Sequence, residues 1–102
     1  MARVVTRSYR RPGKLLPQSA RHFKGRSIRL PAGEAVEWHS TRRREEVILI
    51  FRGSVSLEVR DGDGRIHATR LTDGRLAFIT PQVWHRVVNR SRRQAHYLYI
   101  TA

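Results

Sequence analysis

Apolar residues in this chain follow no regular period before about residue 27, and a period close to two from there to the C-terminus. In Ala35–His39, Val36 and Trp38 fall on one face and Ala35, Glu37 and His39 on the other, which is the pattern of a half-buried strand. Glu46–Arg52 contains Val47-Ile48-Leu49-Ile50-Phe51, apolar at every position, so this strand is expected to be covered on both faces. Ser27–Leu30, Ser54–Arg60, Arg65–Leu71, Leu76–Thr80, Arg86–Asn89 and Gln94–Thr101 complete the set. The breaks between them carry turn residues: Pro31-Ala32-Gly33, Gly53, Asp61-Gly62-Asp63-Gly64, Thr72-Asp73-Gly74 and Arg90–Arg93. Asp-Gly at 61–64 supplies the positive φ of a tight hairpin. Short strands at this spacing, with almost no helix signal, predict an all-β antiparallel sandwich or barrel.

The first 26 residues differ. They are polar and basic and are interrupted by Pro12, Gly13, Pro17 and Gly25. They read as an N-terminal arm with at most a short strand at Arg3–Ser8, leaving residues 27–102 as the β domain. A chain of 102 residues is expected to make one such domain. No stretch approaches the ~20 apolar residues of a membrane span. The segment from Met1 to Arg7 has no apolar core of a signal peptide, so a cytoplasmic protein is the default expectation. With no cysteine, disulfides, thiolate metal sites and thiol nucleophiles are excluded.

Charge adds a second consideration. There are 21 basic and 8 acidic residues, a net charge of +13, and nineteen of the basic residues are arginine. Such a balance admits a nucleic-acid partner through the arm and Arg42-Arg43-Arg44. The arginines are nevertheless spread from Arg3 to Arg93 rather than gathered in one tail, so nucleic acid is the secondary reading.

The chemistry concentrates in His39, Glu46 and His85. Two imidazoles and one carboxylate at the ends of β segments form a facial triad for a divalent transition metal, and the ligand set does not choose among Fe, Mn, Zn and Ni. Taken singly, His39 could be a hydrogen-bonded sandwich histidine and Glu46 the partner of an arginine; three in register favour the metal. Glu37 shares a face with His39 and is a candidate proton acceptor, with pairing to an arginine as the alternative. Tyr97 and Tyr99 share one face of the last strand, with His96, Leu98 and Ile100 on the other. If the tyrosine face lines the barrel, Tyr99 is a candidate catalytic phenol; if the other does, His96 takes its place. Arg52 has the parity of Glu46, Ile48 and Ile50, which points it inward, where its fork would suit an anionic substrate, with a salt bridge to Glu37 or Glu58 as the favoured alternative. Trp38 and Trp84 precede the two histidines and are read as packing residues facing away from the metal. Glu45 should face opposite to Glu46, and His22 and His67 are assigned to the surface.

The spacing of these residues carries a resemblance. Gly33, five residues, His39, one residue, Thr41, four residues, Glu46, six residues and Gly53 resemble the first cupin motif, with Thr41 where a second histidine normally stands. Gly74, five residues, Thr80, one residue, Gln82, two residues, His85, three residues and Asn89 resemble the second, with Thr80 in the proline position and Gln82 in the glycine position. The resemblance implies a jelly-roll β-barrel (a double-stranded β-helix) that is often a homodimer, with one metal near the mouth of the barrel. His39, Glu46 and His85 would be the metal ligands, and Thr41 a possible fourth position. It also implies a small-molecule substrate or ligand, with dioxygenase, isomerase or lyase chemistry among the possibilities. The alternative is a non-catalytic ligand-binding or sensing barrel with a degenerate metal site.

Overall fold

The computed structural model describes residues 3–102; Met1 and Ala2, which the reading of an N-terminal arm includes, lie outside the described residues. Among the described residues nine strands follow one another without a helix: β1 (Gly13–Lys14), β2 (Lys24–Leu30), β3 (Ala35–Ser40), β4 (Glu46–Arg52), β5 (Ser54–Arg60), β6 (Ile66–Thr72), β7 (Leu76–Ile79), β8 (Trp84–Val88) and β9 (Ala95–Thr101). They form two antiparallel sheets, one in the order β1-β2-β9-β4-β7 and the other β3-β8-β5-β6. The all-β antiparallel architecture expected from the alternation is therefore the one found. Among the described residues no helix is long and apolar enough to cross a membrane.

Leu30, Ile48, Ile50, Val55, Leu57, Leu71, Ile79, Val87, Ala95 and Tyr97 form the core between the sheets. Alternation within β4 places Glu46, Ile48 and Ile50 inside and Val47 and Leu49 outside. The β5–β6 hairpin turns where Asp-Gly predicts it. Gly64 has φ 88°, and the Asp61 carboxylate accepts the amides of Asp63 and Arg65 at 3.2 and 2.9 Å. Gly53 joins β4 to β5 at φ 90°, and a Cβ there would lie 3.0 Å from the Ala95 Cα. Only glycine meets both demands without strain.

Three expectations need correction. Arg3–Ser8 is not a strand; among the described residues the arm pairs through Gly13–Lys14 against Ser27 and Arg26, and its last residues, Lys24–Arg26, already belong to β2. Before that point the arm packs through Tyr9, whose ring meets Phe51 edge-on at 5.2 Å and whose carbonyl accepts from the Ser27 hydroxyl at 2.7 Å. The outer face of β4 is covered only at that Phe51 end. Val47 and Leu49 stay 37 % exposed beside Leu76, Phe78 and Ile100. The third correction concerns strand parity, which two β-bulges break. One lies between Val36 and His39 in β3 and the other between Ile50 and Arg52 in β4. Each inserts a residue and turns the chain beyond it to the opposite face.

Candidate metal centre

The β3 bulge sets the position of His39. Val36 pairs with Val87 and His39 with His85, so three residues of β3 span two of β8, and Val36 and His39 both line the interior. His85 lies inside β8, which begins at Trp84 rather than at Arg86. Glu46 opens β4 on its buried face, while its neighbour Glu45 is exposed, so each carboxylate takes the face expected of it. The nearest donor atoms of His39, Glu46 and His85 all lie within 4.8 Å of one another. The two imidazole rings are 4.2 Å apart, centroid to centroid, and tilted by 57°.

Hydrogen bonds fix which nitrogen of each ring is free. His39 Nδ1 lies 2.8 Å from the Glu37 carbonyl and His85 Nδ1 lies 3.1 Å from the Val83 carbonyl. A carbonyl can only accept, so both Nδ1 atoms carry hydrogen and, in neutral rings, both Nε2 atoms present lone pairs. His85 is fully buried and its Nε2 has no hydrogen-bond partner. That nitrogen lies 3.4 Å from Glu46 Oε1, a separation that would subtend about 110° at an ion bonded to both at ~2.1 Å. Burial by itself would lower the His85 pKa, but the Glu46 carboxylate and the Val83 carbonyl outweigh it and the net direction is up. The pocket is thus arranged to hold positive charge between the imidazole and the carboxylate. An orphaned buried lone pair, two rings oriented by carbonyls and an adjacent carboxylate fit a divalent metal.

The residues around this cluster divide sharply. Ile28, Val36, Val87, Tyr97, Tyr99 and Thr101 wall a cavity of about 270 Å³ that also reaches His39 and Glu46. The tyrosine face of β9 is therefore the inner one, and Tyr99 belongs to the cavity. Tyr97 is fully buried; burial first, then the charge of Glu46, raises its pKa, so it remains a neutral phenol. Thr41 also lines the cavity, but its hydroxyl donates to the Thr80 carbonyl at 2.8 Å and accepts the Val83 amide at 3.1 Å. It ties the β3–β4 turn to the β7–β8 turn beneath His85.

Glu37 does not join the cluster. The bulge leaves it 71 % exposed on the outer side, 3.5 Å from Arg86. Arg86 and Arg90 both hold Glu58, and Trp38 lies under the guanidinium groups of Arg60 and Arg86. Arg52 and His96 also face outward, because the β4 bulge puts Arg52 opposite His96. The cavity receives Arg42 and, with its side chain fixed by hydrogen bonds, Arg44. Its Nε donates to the Thr101 hydroxyl at 3.0 Å, and Nη2 donates to the carbonyls of His22 and Thr101. Nη1 has no partner among the described residues.

The family model of the cupin domain matches residues 26–101. This chain belongs to the cupin family. No curated protein matches it. Among solved structures it is similar to the cupin domain of Schizosaccharomyces pombe Cnp3, with TM-score 0.76, 13% identity, and coverage of 89% of this chain and 62% of that one. It is also similar to peruvianin-I, described as a cysteine peptidase from Thevetia peruviana latex, at TM-score 0.71 and 20% identity over 78% of this chain and 50% of that one. A variant of oxalate decarboxylase from Bacillus subtilis matches at TM-score 0.70 and 20% identity, over 78% of this chain and 21% of that one. The cupin chain thus spans between a fifth and about three-fifths of these structures' lengths, and at such identities they show its fold alone.

Proposed function

We propose that this cupin holds a divalent transition metal, one of Fe, Mn, Zn or Ni, on His39, Glu46 and His85, and takes a small carboxylate-bearing molecule in the adjoining cavity. The observation that carries the reading is the buried, unpartnered Nε2 of His85 facing the Glu46 carboxylate. A lone pair opposite a carboxylate oxygen is repulsive until a cation lies between them. When bound, the metal would supply a Lewis acid with positions open to substrate, water or dioxygen. The chain's own residues do the rest. His39 and His85 are held in the ligating tautomer by the carbonyls of Glu37 and Val83. Ile28, Val36 and Val87 exclude water from one side of the ligand. Arg44 Nη1 offers a donor to a carboxylate, and Arg42 adds a second positive charge to the lining. Tyr99 provides a hydroxyl for orientation or proton donation, and Thr41 serves as a tie between turns.

Metal analysis of protein purified without chelators tests this. About one equivalent per chain is expected, lost in Glu46→Ala and His85→Ala. Less than about a tenth of an equivalent, with no gain on adding Fe, Mn, Zn or Ni, would leave a protonated His85 paired with Glu46 instead. One observation favours the non-catalytic alternative: apart from Glu46, no carboxylate lines the cavity among the described residues. Ligand binding without turnover across a panel of small carboxylic acids would select that alternative.

The partner reading concerns Val47, Leu49, Leu76, Phe78 and Ile100. In cross-strand register Val47 faces Phe78 and Ile100, and Leu49 faces Leu76, so these side chains are contiguous across β9, β4 and β7. The arm already occupies the Phe51 end and cannot cover them. We take a second copy as the occupant, since an uncharged apolar face on a +13 chain matches itself better than an acidic partner. Phe78→Glu should convert a dimer to a monomer in light scattering; an unchanged mass would end this reading.

A further inference from the structure

The outer face of the five-stranded sheet carries a row of cations that the metal site does not use. Arg29 of β2 lies directly across from His96 of β9, and His96 directly across from Arg52 of β4. Cross-strand neighbours of this kind have Cβ atoms roughly 5 Å apart, so the two guanidinium groups flank the imidazole from either side. Arg10 comes to the same place from the arm, its backbone held there by the Arg29 guanidinium at 3.5 Å and by Tyr9 on Phe51. Together with Phe51 and Gln94 these groups line a cleft of about 350 Å³. Among the described residues no carboxylate lines it, and Arg10, Arg29 and Arg52 take part in no ion pair.

A basic chain must leave many arginines unpaired, and most of these are free to spread into solvent. The three here converge from separate segments. Phe51 backs two of them, with the Arg10 and Arg52 guanidinium carbons 5.7 and 5.8 Å from its ring centroid. His96 is 92 % buried by the same groups, with Nε2 against the Ser27 hydroxyl. Burial, and then the charges of Arg29 and Arg52, hold its pKa below the usual histidine value, which registers the uncompensated positive field.

We propose that the cleft formed by Arg10, Arg29, Arg52, Gln94 and His96 is a binding site for the phosphate group of a small molecule, separate from the metal centre. Guanidinium forks match phosphate oxygens in pairs, and a dianion among three of them relieves their mutual repulsion. Gln94 adds a neutral donor at the rim. The five-stranded sheet lies between this cleft and the cavity, so the two are separate sites.

The test is titration calorimetry of the full chain, metal-depleted and at fixed ionic strength, with inorganic phosphate as the probe, paired with NMR of the histidine side chains. Saturable binding is expected, with His96 as the histidine whose ring signals move most. Arg29→Ala and Arg52→Ala should each weaken binding by about tenfold, while Arg70→Ala, an exposed arginine of the other sheet, should leave it unchanged. Thermal melts would confirm that each variant is folded, and Arg52→Gln provides a second variant at the same position. Three results would overturn the proposal: no saturable binding, equal loss in Arg70→Ala, or binding that leaves His96 unmoved. A parallel titration with single-stranded DNA separates the two sources of phosphate. Binding of DNA without binding of inorganic phosphate would assign the arginines to a nucleic-acid surface and overturn the small-molecule reading.

Discussion

Two buried histidines lie in different sheets of the same sandwich, and their surroundings drive them in opposite directions. His85 faces inward beside Glu46, and its pKa is raised; His96 faces outward between Arg29 and Arg52, and its pKa is lowered. Both are desolvated, so burial alone does not separate them. What separates them is the charge the fold places next to each: a carboxylate in one case and two guanidiniums in the other. The inner site is therefore suited to a cation and the outer one to an anion. A +13 chain makes the inner site the harder to build, and one buried carboxylate achieves it.

The largest effect that would break this contrast is on metal content. His85→Ala should lower metal affinity by at least about 100-fold, whereas His96→Ala should leave it within about twofold. Equal metal content in the two variants, measured by elemental analysis, would dissolve the distinction. A second test asks whether Thr41 belongs to the metal or to the frame around it. Thr41→Val leaves the Thr80 carbonyl and the Val83 amide without their partner, at a cost of about 2 kcal/mol in denaturant unfolding, with metal content unchanged. A Thr41→Val protein of normal stability that loses metal would restore Thr41 as a ligand.

Glu58 extends the comparison to the other sheet, where a carboxylate meets arginines instead of a histidine. Hydrogen bonds from Arg90 and Arg86 lower its pKa. The folded state then binds fewer protons than the unfolded state. The stabilisation is full above the ordinary carboxylate range and fades as pH falls through the lowered value. Glu58→Gln should cost about 1 kcal/mol at neutral pH, both arginines being partly solvated, and the gap to the parent chain should close on acidification. A gap that widens in acid would reverse the assignment. The smallest effect is expected at Gln82, in the turn between β7 and β8 that leads to His85. Its φ of 65° is left-handed, which explains why the cupin pattern prefers glycine there. Gln82→Gly should stabilise the chain by at most about 1 kcal/mol without altering either histidine site, as a melting-temperature shift would report.

The chain's own pattern was a good guide to the sheets and an uneven one to the faces. Alternation marked the strands from β2 to β9, and the spacing of His39, Glu46 and His85 singled out three residues that do converge. Parity failed at the two bulges. There it placed Glu37 beside His39 and pointed Arg52 inward, whereas both face outward. A bulge is one extra residue stabilised by contacts across the sheet, and no local propensity announces it. Arg44 escaped for a related reason: it sits in a turn, where no period applies, and reaches the cavity through hydrogen bonds to Thr101 and His22.

What the sequence by itself determined is the class of fold and the chemical identity of the three candidate ligands, because both follow from residue type and spacing along one dimension. Which side of the sheet each charge occupies was decided by the tertiary structure. Packing of the two sheets brought Glu46 of β4 to His85 of β8, register between strands brought Arg29 and Arg52 to His96, and both depend on bulges and contacts that involve the whole sandwich at once.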